Sequence, residues 1–425
     1  MRRKGKSFPK PTIVPRAAHT LSRKQISENA LKVLYRLHEA GFSAYLVGGA
    51  VRDVLLDEHP KDFDVATDAR PEEIRKLFRN CILIGRRFRL AHVRFRNEVI
   101  EVATFRTEAK PIANPKNDMI MRDNRYGTIV EDAWRRDFTV NALYYNIADF
   151  SVVDFTQGLE DLKHRQLRII GDPELRYRED PVRMLRAIRF AGKLNFGLHP
   201  ETEEPIKRLS PLLEWVPAAR LFEEFLKLFF HGHGQKTFEL LCQYDQFQYL
   251  FPSTFNAIQL HVQARSLLEL TLKSTDDRVK IDKPVTPAFL LAALLWYPLQ
   301  EAIDIFHEEG QPRQQTFFLG SEKVGKQQNK HVAFPRRFLS GAQDIWILQS
   351  RLERRVKHQI PALLASSKFR AAYDFLVLRA KSGEKVQKQA DWWTALQEAD
   401  PDTQASMIAE LPGTKRKKNV RKKAS

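Results

Sequence analysis

Apolar positions in the first 155 residues fall in short runs broken by glycine, proline and charge. Ile26, Ala30, Val33, Leu34 and Leu37 share the spacing of one helical face. They predict a helix over 25–40, opened after Thr20 or Ser22 and closed by Gly41. Residues 44–47 read as a short apolar strand that runs into Gly48-Gly49 and a helical stretch over 50–56. Residues 62–65 alternate polar and apolar, the period of a strand. Pro71 opens a short helix over 71–78, and 82–84, 92–95 and 98–104 read as further strands.

Past Glu179 the pattern changes. Long amphipathic helical patterns dominate, at 180–194, 218–230, 235–244, 287–296 and 369–379, with Pro252 and Pro298 as breaks. Residues 307–337 are rich in Gln, Gly, Lys and Pro and only weakly periodic; they are expected to be a long connection or partly mobile insert. No internal repeat is evident. The fold class is therefore α+β: a head of mixed sheet and helices, then an all-helical remainder. The expected boundaries are a basic disordered arm over 1–20, the head over 21–155, the neck over 156–215, the helical body over 216–405 and a basic disordered tail over 406–425.

Composition adds what the chain excludes. Of 425 residues, 43% are hydrophobic and 29% charged, an ordinary balance that can bury a sizeable core. No apolar run approaches the roughly 18 residues of a membrane span, and the basic N-terminus lacks the apolar stretch of a secretory signal. A cytoplasmic protein with no membrane partner is expected. Two cysteines, Cys81 and Cys242, are too few for a disulfide framework and read as buried reduced thiols. The net charge of +18 favours a polyanionic partner. Six Lys/Arg and no acid lie in residues 1–20, and seven Lys/Arg and no acid in the last eleven residues. Basic ends alone identify no substrate.

The head carries the candidate chemistry. Gly48 and Gly49, between strand and helix, let a ligand approach the backbone, and a helix start suits a triphosphate; the plainer alternative is a tight turn. Arg52, near that helix start, can reach a phosphate oxygen. In a strand, Asp62 and Asp64 point to the same side, and two like charges on one face call for a cation. The alternative is an exposed strand edge. Glu101 interrupts an apolar strand and is one candidate for a third carboxylate; Asp137 is another. If 131–142 is helical, Asp137 and Asn141 share a face, and so do Asp132 and Arg136; surface ion pairs are the bland alternative. Asp180 and Pro181 suit a helix start, with Val182, Leu185 and Ile188 as its buried stripe. Glu179, Arg183 and Arg186 fall on another face, where carboxylate and guanidinium groups can read a base edge or form an ordinary solvated face. Trp392 and Trp393 could stack on bases but suit a core equally.

Four segments together, 46–56 (LVGGAVRDVLL), 62–69 (DFDVATDA), 135–145 (RRDFTVNALYY) and 178–194 (REDPVRMLRAIRFAGKL), resemble the nucleotidyltransferase branch that contains bacterial poly(A) polymerases and CCA-adding tRNA nucleotidyltransferases. Residues 84–93, 217–229, 287–298 and 368–380 are similar to the bacterial poly(A) polymerases, so the likeness covers nearly the whole chain. The loop between Arg106 and Arg122 is short and the basic tail modest by comparison. The resemblance implies a nucleotidyltransferase head, a neck with a base-recognition helix and an RNA-binding body. It implies catalysis by Asp62, Asp64 and Asp137, with metal held by Asp62, Asp64 and Glu101. Gly48, Gly49, Arg52, Arg136, Asn141, Glu179, Asp180, Arg183 and Arg186 would bind the nucleotide. The expected cofactor is Mg²⁺, two ions, with Mn²⁺ as a substitute. The expected partners are ATP and RNA 3′ ends, with a connection to RNA-decay machinery and a monomeric state. The implied activity is template-independent addition of AMP. The alternatives are a CCA-adding enzyme and, from another class, a non-catalytic basic RNA-binding protein.

Overall fold

A computed structural model describes residues 8–85, 89–107 and 125–412. Arg86, Arg87 and Phe88 of the 84–93 segment, most of the 106–122 loop and the basic tail from residue 413 lie outside the described residues. The chain divides into two compact units, Met1–Arg183 with Leu194–Ile206, and Met184–Lys193 with Lys207–Ser425.

The first unit is built on one eight-stranded sheet. In chain order its strands are β1 (Thr12–Val14), β2 (Ala44–Val47), β3 (Asp64–Thr67), β4 (Cys81–Ile84), β5 (Leu90–Arg94), β6 (Val99–Thr104), β7 (Leu143–Asn146) and β8 (Val152–Asp154). In space they run β1-β8-β7-β2-β3-β6-β5-β4. Only β3 and β6 pair in parallel; the other neighbours are antiparallel. Part of the expected disordered arm is thus an edge strand. β1 pairs along β8, and backbone hydrogen bonding fixes a segment that charge alone made look unstructured.

Helix α1 (Glu28–Glu39) starts later than the sequence suggests. Ser27, not Thr20 or Ser22, accepts the Ala30 N–H, while Ser22 caps a short 3₁₀ turn over Arg23–Gln25. α1 packs on β2, β3 and β6, and α3 (Pro71–Leu77) packs on β4 to β6. Leu46, Val65, Val93, Ile100 and Val102 are buried in that layer. Each such side chain contributes roughly 1.5–3 kcal/mol by leaving water. The other sheet face is covered over β8, β7 and β2 by α4 (Ile129–Trp134), through Ala133, Val47, Tyr144, Val153 and Phe155.

Among the described residues, the regular elements of the second unit are all helices. Its core includes Trp393, Leu352, Ile360, Phe369 and Leu376, so Trp393 is core; its indole N–H donates to the Leu352 carbonyl at 2.8 Å. Residues 313–331, expected as a connection, are instead a helix, Arg313–His331. Its buried stripe is made of Thr316, Gly320, Ser321, Val324, Gly325 and Gln328. Small and polar residues let it approach the Trp296–Glu308 helix closely: a Cβ on Gly320 would lie 3.2 Å from Ile303. The apolar period is missing because close backbone approach replaces it. The end of the chain also differs from expectation, because Pro401–Ala409 is a helix that runs past residue 405. No single helix among the described residues is long and apolar enough to cross a membrane.

Candidate active site

Sheet register assembles the site. One row of side-by-side residues crosses all eight strands: Ile13, Val153, Tyr144, Val47, Asp64, Glu101, His92 and Ile82. Paired residues project to the same face. Asp64 therefore stands between Val47, the last residue before the glycine turn, and Glu101. Asp62 lies two residues earlier, just before β3, and is exposed. Partial burial, then the charges of Glu101 and Asp62, push the Asp64 carboxyl up to about 6, with Arg136 pulling the other way. Glu101 in turn meets His92 Nε2 at 3.4 Å.

The glycine turn is held open beside these acids. Gly48 has φ +78° and ψ −131°, a conformation that a side chain strongly disfavours. A Cβ on Gly48 would stand 3.5 Å from an Arg136 guanidinium nitrogen, and one on Gly49 3.6 Å from an Arg52 guanidinium nitrogen. Arg52, in α2 (Gly49–Leu55), is only 2% exposed. It donates to Asp53 at 2.5 and 2.7 Å and to the Asn141 side-chain oxygen. The sequence reading sent Arg52 to a phosphate; the structure places it beneath the turn, engaged with Asp53 and Asn141.

Arg136 is held by a buried hub. Asp132, 1% exposed, accepts from Arg135 at 2.5 Å, from Arg136 at 3.1 Å and from the Tyr144 hydroxyl at 2.8 Å. The Arg106 backbone N–H also donates to it, at 3.1 Å. Burial opposes charge on Asp132, yet the two guanidiniums hold its carboxyl below the usual range. Burial likewise opposes charge on Arg136, but Tyr144 and Asp132 keep it firmly protonated.

The 131–142 segment is not one helix. α4 stops at Trp134, and Asn141 ends a 3₁₀ turn, Thr139–Asn141, so Asp137 and Asn141 share no helical face. Arg176 takes the carbonyls of Arg135 and Arg136 at 2.9 and 2.7 Å, and Ile170 N–H takes that of Asp137 at 2.8 Å. Those are the carbonyls a longer helix would have used. Asp137 Oδ1 accepts the Phe138 N–H at 2.9 Å. Asn141 still joins the two arginines, since its backbone oxygen also accepts from Arg136 at 3.5 Å.

The base-recognition candidates divide. α5 (Pro173–Glu179) and α6 (Val182–Leu194) are separate helices, and Asp180 accepts the Val182 N–H at 3.2 Å. Glu179 receives Arg183 at 3.0 Å and Arg176 at 3.5 Å. Arg186 belongs to the second compact unit, where it lies over the Phe190 ring at 5.6 Å. Sequence reasoning did not single out Asp53, Tyr144, Arg176 or His92. Only Asp132 left a signal, its i,i+4 spacing from Arg136.

Carboxylate oxygens such as those of Asp62, Asp64 and Glu101 suit a hard divalent cation, and desolvation followed by repulsion from Glu101 already disfavours the bare charge of Asp64. Among the described residues, no group of three or more His, Cys, Asp or Glu side chains is gathered so that it could hold a metal ion by itself. Mg²⁺ needs only one or two protein carboxylates, because it keeps waters and substrate oxygens in its shell.

Fold and arrangement together define the class, a nucleotidyltransferase head followed by a helical body. Residues 44–168 match the poly A polymerase head domain. Residues 195–258 match the probable RNA and SrmB-binding site of polymerase A, and 309–425 its arginine-rich C-terminus. The chain is 50% identical to poly(A) polymerase I of Escherichia coli O6:H1, over 95% of this chain and 89% of that one. It is 44% identical to poly(A) polymerase I of Haemophilus influenzae, over 94% and 90%. Among solved structures, it resembles the Bacillus stearothermophilus CCA-adding enzyme in complex with CTP, with TM-score 0.57 and 25% identity over 85% of this chain and 81% of that one. The chain belongs to the poly(A) polymerase family.

Proposed function

We propose that the protein is a template-independent poly(A) polymerase: the 3′-hydroxyl of an RNA attacks the α-phosphorus of ATP, AMP is added and pyrophosphate leaves. The observation that carries this reading is the register of Val47, Asp64 and Glu101, which sets two acids of adjacent strands beside the glycine turn. Asp62, Asp64 and Glu101 are the residues that would hold Mg²⁺. Two bound ions would supply a lowered pKa at the attacking hydroxyl and charge neutralisation at the leaving pyrophosphate. Gly48 and Gly49 leave room for the triphosphate against the backbone. Arg136, fixed by Asp132 and Tyr144, sets a permanent positive charge against Gly48. Arg52 and Asn141 act as positioning residues that hold the turn's shape. Glu179 and Arg183, locked to each other, offer an acceptor and a donor to the adenine edge. Asp180 shapes the α5–α6 corner, and Arg186 is a further donor for the base edge. Asp137 holds the turn that presents Arg136. The helical body and basic ends bind RNA phosphates, with affinity falling as salt rises. This activity belongs in the cytoplasm and to RNA 3′-end turnover.

The test offers ATP alone or CTP alone, with Mg²⁺, to an oligoribonucleotide without tRNA structure. Long adenylate tails from ATP and little use of CTP are expected. Efficient CTP incorporation restricted to a tRNA lacking its CCA end would assign the chain to CCA addition instead.

A further inference from the structure

The acid row continues beyond Glu101 into a surface that the proposed mechanism does not use. His92 and Ile82 extend the row, and Leu90 and Ile84 project from the same face of β5 and β4. Ile82 and Ile84 are 46% and 49% exposed. A solvent-facing strand position ordinarily carries a polar residue. Here β4, the edge strand, presents isoleucine twice on its open face, and Cys81 on its other face is buried.

We propose that this face, with Ile82 and Ile84 as its apolar floor, seats the terminal nucleoside of the RNA 3′ end. The assignment rests on the polymerase reading above. In-line displacement requires the attacking oxygen and the leaving pyrophosphate on opposite sides of the α-phosphorus. The two substrates must therefore reach the acids from opposite directions. Gly48, Arg136 and the turn stand on the β2 and β7 side of Asp64. That side provides the positive charge and open backbone a triphosphate needs. The β6, β5 and β4 side remains, and it offers what a nucleoside needs: flat aliphatic contact for a base, and His92 beside Glu101 at the edge of the acids. Aliphatic side chains do not read base edges, so the seat accepts any terminal base. Such tolerance fits an enzyme that starts on varied RNA ends.

The experiment uses the full chain and an oligoribonucleotide with a 3′-terminal 4-thiouridine, irradiated without ATP, with the crosslinked peptide mapped by mass spectrometry. The expected crosslink falls on β4 or β5, within 81–84 or 90–94. In parallel, Ile82→Ser with Ile84→Ser is assayed for AMP transfer. The RNA KM is expected to rise about tenfold, the scale of one lost base contact, with the ATP KM unchanged. Ile82→Leu with Ile84→Leu restores the wild-type value. A crosslink confined to other segments, or a serine variant with wild-type RNA KM, overturns the seat while leaving the polymerase reading intact. If the wild-type chain transfers no AMP, the polymerase reading itself fails, and the crosslink, which needs no turnover, still decides the position of the RNA end.

Discussion

The row that crosses the sheet has two unlike halves. From Ile13 to Val47 it is largely apolar, and from Val153 to Val47 it is covered by α4 and tied down by Asp132. From Asp64 to Ile82 it is open, and its two carboxylates, Asp64 and Glu101, repel each other. The same strands and the same register make both. Burial satisfies one half, so it supports the fold. The other half is left unsatisfied, so it can accept a cation and substrates. A single residue, Val47, separates them, and the glycine turn leaves the sheet at that boundary.

The largest expected effect comes from the open half. Asp64→Ala should lower AMP transfer by about 10⁴-fold, the scale of deleting a central catalytic side chain, with RNA binding by filter assay and thermal stability retained. Its counterpart in the closed half is Asp132→Ala, which strands Arg135 and Arg136 in a half-buried setting. It should cost about 3–5 kcal/mol of stability, read by denaturant unfolding. At the boundary, Gly48→Ala forces a side chain into φ +78°. It should cost about 1–3 kcal/mol and raise the ATP KM.

A pH series sharpens the contrast further. Asp64 titrates near 6 without metal, and a cation needs the ionised form. Mn²⁺ affinity, followed by electron paramagnetic resonance, should be about tenfold weaker at pH 5 than at pH 7. The sign reverses for the metal-free fold. Asp64 binds its proton more tightly folded than unfolded, so this group favours the folded state at low pH. That contribution is lost as pH rises through about 6, and Asp64→Asn should remove the loss. The smallest effect lies far from the row: Lys326→Ala breaks an exposed pair with Glu322 at 2.6 Å and should change stability by less than about 0.5 kcal/mol.

Much of the open half was legible in the sequence. The apolar run at 44–47 placed β2 correctly, and the acid at 101 stood out in an apolar run, but alternation at 62–65 put the next strand two residues early: β3 is Asp64–Thr67 and leaves Asp62 before it. Strand order was not legible, because β2, β3 and β6 become neighbours only through long-range pairing. Charge misled at Thr12–Val14, where ladder bonds outweigh composition. Spacing misled at 135–142, where Arg176, about forty residues away in sequence, captures the carbonyls that would extend α4. Arg52 shows a similar limit: position in a motif suggested a phosphate, while burial against Asp53 and Asn141 depends on contacts no local pattern reports. The helix at Arg313–His331 hid because glycine and serine form its packing face.

Crystals grown with Mn²⁺ and a nonhydrolysable ATP analogue test the central claim most directly, through the anomalous signal of the metal. Peaks bounded by the carboxylates of Asp62 and Asp64, with the triphosphate running toward Gly48, are the predicted result. Metal bound to the nucleotide elsewhere in the chain, with both aspartates left in water, would contradict it.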